Sequence, residues 1–384
     1  MKEKIWLSPP HMGGKEQKYI NEAFETNWIA PLGPNVDGME SDLIRITEKK
    51  YALTLNSATS AIHLALIILG VKQGDYVICQ DFTFCASANP IVYLGASPVF
   101  VDSEKDTWNM SPAYLEQSIL ACMNGTIDGN GKAQKPKAII PVHLYGVPAK
   151  MDEIMAIAHK YEIPVIEDAA EAIGSTFLNK PCGSFGELGV LSFNGNKIIT
   201  TSAGGALVSD NEKYIKHARF LSTQARDQAP HYQHSQVGYN YRMSNINAGI
   251  GRGQLEVLQD RVLKRRQNFE FYKQKLGDIK GFQFLEEPKN AFSNRWLTCL
   301  LVNPSETNGV DREVIRLALE KENIESRPLW KPMHLQPIYE NSPYFGEGFS
   351  AELFEKGLCL PSGSNLSDED LQRVVNAVLG CIQD

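Results

Sequence analysis

Lys197 stands in the run SFNGNKIITTSAGGALV, residues 192–208, where an apolar strand gives way to a polar turn, then a turn of small residues, then a second strand. Its amine is therefore expected at a strand end instead of on a solvated helix, and strand ends are where an open α/β sheet keeps its chemistry. A second run, IPVIEDAAEAIGS at 163–175, is expected to bring Glu167 and Asp168 to the mouth of another strand just before a helix. A lysine and a strand-end carboxylate are the two protein groups that pyridoxal 5'-phosphate requires, one to form a Schiff base and one to keep the pyridine nitrogen protonated.

Further groups fall at neighbouring strand ends. Ser57, Ala58 and Thr59 lie between Asn56 and Ser60, where a strand turns into the helix-like AIHLALIIL, so N–H groups and hydroxyls converge as they would around a phosphate. Ser192 and Asn194 could add donors. Phe84, in DFTFCASANP, follows another strand and suits a pyridine face. Each feature also has an ordinary reading: an N-cap for Ser57, a helix-capping carboxylate for Asp168, one solvated lysine among 38 basic residues for Lys197. Their conjunction on one sheet is what favours a single cofactor.

The elements that must position these groups alternate. Strand-like runs at 51–56, 76–80, 98–102, 138–144, 164–168, 190–193 and 206–209 are separated in several places by helical stretches such as 60–69 and 150–161. That is the pattern of a doubly wound, mostly parallel seven-stranded sheet, an α/β fold. From about 245 a long helix to 276 is expected, then strands at 296–302 and 324–326 and helices at 311–322 and 368–379, the last opening with a capping box at Ser367 and Asp370. Two domains follow: 1–245, with an N-terminal arm, and a smaller α+β unit at 246–384. The polar run 124–137 is read as a surface loop, and GIGRG at 249–253 as close helix packing, since no strand precedes it.

Composition excludes more than it identifies. A formal charge of −7 argues against a nucleic-acid or anionic-membrane surface, so an anionic substrate must be met by local cations and N–H groups. No segment has the roughly 20 apolar residues of a membrane span, and the N-terminus lacks a signal peptide, so a cytoplasmic location is expected. Seven cysteines without metal spacing fit reduced thiols, with Cys85 and Cys182 in packing roles, and no metal is expected.

Taken together, NSATSAIHLAL, FTFCASANPI, IEDAAEAIGS, SFNGNKIITTSAGG and GYNYRMSNI resemble the DegT/DnrJ/EryC1/StrS sugar aminotransferases from Leu7 to the LCLPSG run at 358–363. NWIAPLGPNV at 27–36 and SRPLWKPMH at 326–334 look most like the enzymes that aminate UDP-2-acetamido-2,6-dideoxy-4-keto-hexose in the bacillosamine pathway. The resemblance implies the fold type I of PLP-dependent aminotransferases. Lys197 would carry the cofactor and shuttle a proton, Asp168 would pair with the ring nitrogen, Phe84 would stack on the ring, and Ala58, Thr59 and Ser192 would hold the phosphate. Asn240 would reach the phosphate from a second subunit, making a homodimer with sites between subunits.

By the same resemblance Asn27, Trp28, Ile29, Ala30, Arg327, Pro328, Leu329 and Trp330 would line a nucleotide-sugar channel, with His334 near the sugar. Arg327 and Lys331 are candidates for the diphosphate. Trp330 either covers uracil or packs structurally, and His143 is structural or acts from behind the site. Departures are modest: Ala58 stands where many relatives have glycine, and Glu171 where glutamine is frequent. Lys197 itself speaks for amino transfer, because dehydrating relatives carry histidine there. The implied reaction moves an amino group from L-glutamate to C4 of a UDP-linked 4-keto-6-deoxy-N-acetylhexosamine, for bacterial glycan synthesis. Alternatives are a dTDP-4-keto or 3-keto sugar, an L-epimeric UDP-sugar, or a silent cofactor-binding regulator.

Overall fold

The computed structural model describes residues 2–127 and 133–382. Its central sheet contains β1 (Tyr51–Leu55), β2 (Tyr76–Gln80), β3 (Ser97–Val101), β4 (Ala138–Ile140), β5 (Ile166–Asp168), β6 (Leu188–Ser192) and β7 (Gly205–Ser209). They lie in the order β1-β7-β6-β5-β4-β2-β3. β7 runs antiparallel to both neighbours, whereas the paired strands on the β3 side of it are parallel. The mostly parallel reading is thus the observed one, the seven expected strands being joined at the β3 edge by a short eighth, Tyr344–Phe345. β2, β6 and β7 are buried at every residue, as their apolar runs require of strands covered on both faces.

Two strands are shorter than expected. Pro141 has no N–H to donate, so β4 stops at Ile140, and β4 and β5 meet only through the isolated bridges Ile139↔Val165 and Val142↔Asp168. The helix Ala58–Ile68 begins two residues earlier than its apolar run suggests, because Ser57 caps it by accepting from Ser60 N. The helix Pro112–Asn124 occupies the start of the supposed 124–137 loop, and residues 128–132 of that loop lie outside the described residues.

The expected helix 245–276 is two helices, Asn245–Leu255 and Leu258–Leu276. The break faces the N-terminal arm: Gln254 Nε2 and Arg261 Nη2, one on each side of it, both donate to the His11 carbonyl. The GIGRG glycines sit against neighbouring backbone and side chains. A Cβ on Gly253 would lie 2.6 Å from Glu16 N, and one on Gly251 2.6 Å from Met39 Sδ.

A smaller antiparallel sheet has Thr298–Val302 and Gly357–Leu360 at its centre, flanked by Phe282–Phe284 and Arg327–Pro328. The strand expected at 324–326 falls instead at Arg327–Pro328, while Ile324 makes a single bridge to Ile5. The capping box of Ser367 and Asp370 is present on the helix Asp368–Gly380. Two segments cross the division at 245/246: Ile5 packs into the core of the small sheet, and Tyr344–Phe345 adds to the edge of β3.

The close approach at Gly253 sets a measurable contrast. Gly253→Ala gains about 1 kcal/mol of helix propensity but must displace backbone, so it is expected to lower stability by about 1–3 kcal/mol. Gly380→Ala, in open space at the end of its helix, should instead raise stability by up to about 1 kcal/mol. Thermal or urea unfolding of the two variants checks the opposite signs.

Candidate active site

Open sheets present functional groups where their strands end, and here those ends surround a cavity of about 830 Å³ between the central sheet, the small sheet and the arm. Asp168 enters from the end of β5, Ser192 and Asn194 from the end of β6, and Ser57, Ala58 and Thr59 from the turn after β1. Thr83, Phe84 and Ser87 follow β2. Lys197 hangs on the β6–β7 connection, a turn closed by the bonds from Lys197 N to Asn194 O and from Thr201 N to Phe193 O.

Strand alternation separates the two carboxylates that the sequence places together. Asp168 faces the cavity. Its Oδ2 accepts from Ser87 Oγ at 2.7 Å and its Oδ1 from Ala170 N at 3.1 Å. Burial pushes its carboxyl up, against the pull of those two donors and of Lys197. Glu167 points to the other face, away from the cavity lining. Although burial opposes it, His143 and backbone N–H groups of the 183–186 turn hold Glu167 below the usual carboxylate range. Ala149 N donates to His143 Nδ1 at 3.0 Å, so the imidazole proton sits on Nε2 and is donated to Glu167 Oε1 at 2.7 Å. His143 is therefore a structural residue behind the sheet.

Glu171 is the site residue that sequence reasoning noticed only as a departure. Its Oε1 lies 3.1 Å from Lys197 Nζ and its Oε2 accepts from Tyr145 N at 2.7 Å. Burial pushes its carboxyl up to about 7, with Lys197 opposing. Lys197 Nζ also lies 4.1 Å from the centroid of Trp296, whose Nε1 donates to Asn196 O in the same turn. The lysine is thus fixed from two sides, by a carboxyl from the β5 connection and by an indole that precedes the small sheet's Thr298–Val302 strand.

These residues fit the expected cofactor. The first N–H groups of the helix, at Ala58 and Thr59, have no intrahelical acceptor, and both residues line the cavity, with the positive end of the helix behind them. The turn is pressed against β7, where a Cβ on Gly205 would lie 2.3 Å from Ala58 N. Asp168 suits a pyridinium N–H, and Lys197 suits an aldehyde carbon. Phe84 is 54% exposed and leaves a face open to a ring, with Trp330 5.6 Å away.

Of the proposed sugar-nucleotide residues, Arg327, Pro328 and Trp330 line the cavity. Arg327 is paired with Glu325, which donates nothing and accepts two bonds from it. Leu329 does not line it: the side chain is buried in the core and its N–H bonds Gly357 O. Lys331 points to solvent. His334 is turned away by Asp81, a buried carboxylate that takes both its N–H and its Nδ1, and its ring stacks on Tyr344. Asn27, Trp28, Ile29 and Ala30 are exposed or half-buried outside this chain's cavity, tied by the Trp28 and Ala30 carbonyls to Asn245. Asn240 is likewise outside it, its carbonyl accepting from Asn56 Nδ2. The arm residues Trp6 to Pro10, with Ser87 and Trp296, line the cavity without having been singled out.

The Glu171 carboxyl carries a pH signature. In the cofactor-free fold it keeps its proton to about pH 7, whereas the unfolded chain releases it near 4.5, so its contribution to stability is complete below 4.5 and is lost as pH rises through 7. Glu171→Gln is expected to flatten the stability profile between pH 5 and 7.5 by on the order of 1–3 kcal/mol. Urea midpoints of both proteins across that range check the sign.

The chain matches the DegT/DnrJ/EryC1/StrS aminotransferase family over residues 10–379. EpsN of Bacillus subtilis (strain 168), assigned as a pyridoxal phosphate-dependent aminotransferase, is 52% identical over 99% of this chain and 96% of its own length. The GDP-perosamine synthase of Escherichia coli O157:H7 is 37% identical over 96% of each chain. Spr1654 of Streptococcus pneumoniae, assigned as a sugar aminotransferase and solved in a PLP-form, superposes with a TM-score of 0.88 at 26% identity, covering 99% of both chains. The chain belongs to the DegT/DnrJ/EryC1/StrS family and is a pyridoxal phosphate-dependent sugar aminotransferase.

Proposed function

We propose that this aminotransferase takes its amino group from L-glutamate and delivers it to the C4 ketone of a UDP-linked 4-keto-6-deoxy-N-acetylhexosamine, giving UDP-2-acetamido-4-amino-2,4,6-trideoxyglucose for surface or glycoprotein glycans. The observation that carries amino transfer is the convergence of Lys197, Asp168 and the Ala58–Ile68 helix N-terminus on one cavity. When bound, the cofactor supplies an aldehyde carbon that carries the amino group and a ring that takes up the electron pair left when a C–H proton departs.

The chain supplies everything else. Asp168 holds a positive ring nitrogen in place, and Ser87 keeps that carboxylate from rotating. Lys197, which lines the cavity, would carry the cofactor through its amine and, when that amine is unbound, would serve as the base and acid that moves a proton between the substrate carbon and the cofactor. Glu171 steers that amine and can accept or give up a proton at a pH close to neutrality. The helix N-terminus binds phosphate, and Trp296 and Trp330 keep water from the amine's side of the cavity.

Nucleotide choice rests on the resemblance of 27–36 and 326–334 and on Arg327 at the rim. The GDP-perosamine synthase similarity favours a GDP-linked sugar as the second reading. We also propose a homodimer in which Asn27, Trp28, Ile29, Ala30 and Asn240 of a second copy complete the channel. Trp28, Ile29, Val92 and Tyr93 are each at least 40% exposed, apolar side chains that a partner could cover. Seven free thiols suit a reducing cytoplasm.

A panel of UDP-, GDP- and dTDP-linked 4-keto-6-deoxy sugars with L-glutamate, products read by NMR, tests the reading. The UDP N-acetyl sugar is expected to turn over at least tenfold faster in kcat/KM than the others. A preference for the GDP sugar would overturn the UDP assignment.

A further inference from the structure

The small sheet sets Cys299 directly opposite Cys359 on adjacent antiparallel strands. In such a ladder the N–H and C=O of one residue point to the same side, so backbone bonds reveal which kind of pair this is. The Cys299 carbonyl accepts from Leu285 N at 3.2 Å, toward the Phe282–Phe284 side of its strand. Gly357, two residues before Cys359 and pointing the same way, gives its carbonyl to Leu329 N at 3.0 Å, toward the Arg327–Pro328 side. Both backbones therefore turn away from each other.

Cys299 and Cys359 are accordingly a non-hydrogen-bonded pair, the closer of the two kinds. Cα atoms in such pairs lie about 4.5 Å apart with both side chains on one face. That separation falls inside the roughly 4.4–6.8 Å that a disulfide spans. Both thiols are free and nearly fully buried. Burial, the Cys359 thiol and the nearby Glu171 carboxyl together push the Cys299 thiol up. Cys359 lines the cavity that holds Lys197 and Cys299 does not, so a disulfide oxidant entering the cavity meets Cys359 first. It is in register with Arg327, and Cys299 follows Trp296 and Leu297, so a bond between the two sulfurs would staple two walls of that cavity.

We propose that Cys299 and Cys359 form a redox-active dithiol that a disulfide oxidant closes into a cross-strand disulfide in the wall of the active-site cavity. The thiolate of Cys359 attacks one sulfur of oxidised glutathione and expels one glutathione thiolate. Cys299 then attacks the Cys359 sulfur of that mixed disulfide and expels the second. Two protein thiols are oxidised, one external disulfide is reduced to two thiols, and the two protons pass to the released thiolates.

The test incubates the purified holoenzyme with oxidised glutathione at pH 8, blocks free thiols, and maps peptides by mass spectrometry. A 299–359 linked peptide that reduced dithiothreitol reverts is expected. In Cys299→Ala the resolving thiol is gone, so Cys359 should instead accumulate one glutathione, and Cys359→Ala should leave Cys299 unmodified. Wild-type protein in which both cysteines stay free, or in which Cys359 carries glutathione while Cys299 stays free, would overturn the proposal.

Discussion

Burying a carboxyl and an amine side by side costs several kcal/mol unless each satisfies the other and both are held by further bonds. The Glu171–Lys197 contact is that arrangement, and the rest of the site is built to sustain it. Tyr145 donates its N–H to Glu171 from a residue with φ of +53°, a left-handed conformation that side-chain-bearing residues seldom adopt. The same tyrosine accepts from Trp330 N through its hydroxyl and stacks on Trp296, the ring over which Lys197 lies. One network thus runs from the central sheet through the Lys197 amine to both tryptophans, Trp296 and Trp330.

Three acids within five residues show how environment divides labour. Glu167 is held ionised by a histidine and a ring of backbone N–H groups, and it pins the 183–186 turn to β5. Asp168, one residue on, is pushed up by burial but keeps two donors, which suits a partner carrying positive charge. Glu171 sits where burial outweighs the pull of an amine and raises its carboxyl to about 7, so its proton is mobile near neutrality. The strand's twofold alternation and the turn after it are enough to send neighbouring side chains into such different surroundings.

What the sequence revealed was local. Lys197, Asp168 and the Ser57–Thr59 turn are each announced within a dozen residues by a strand, its end and the element that follows; their conjunction pointed to the cofactor, and the resemblance of those runs to one family pointed to a sugar aminotransferase. What escaped was set by distant partners. Nothing near Trp296 says that Lys197 will lie on it, and nothing in 326–334 says that buried Asp81 will claim His334. β4 stops before Pro141 although the apolar run continues to Leu144, and the helix break at 256–257 follows from an arm nearly 250 residues earlier.

In the proposed reaction the cofactor is joined covalently to one amine, that of Lys197. Borohydride reduction of the holoenzyme followed by peptide mass mapping tests it most directly. The phosphopyridoxyl mass is predicted on Lys197, and Lys197→Arg should carry none. Label on any other lysine, with Lys197 unmodified, would contradict the account.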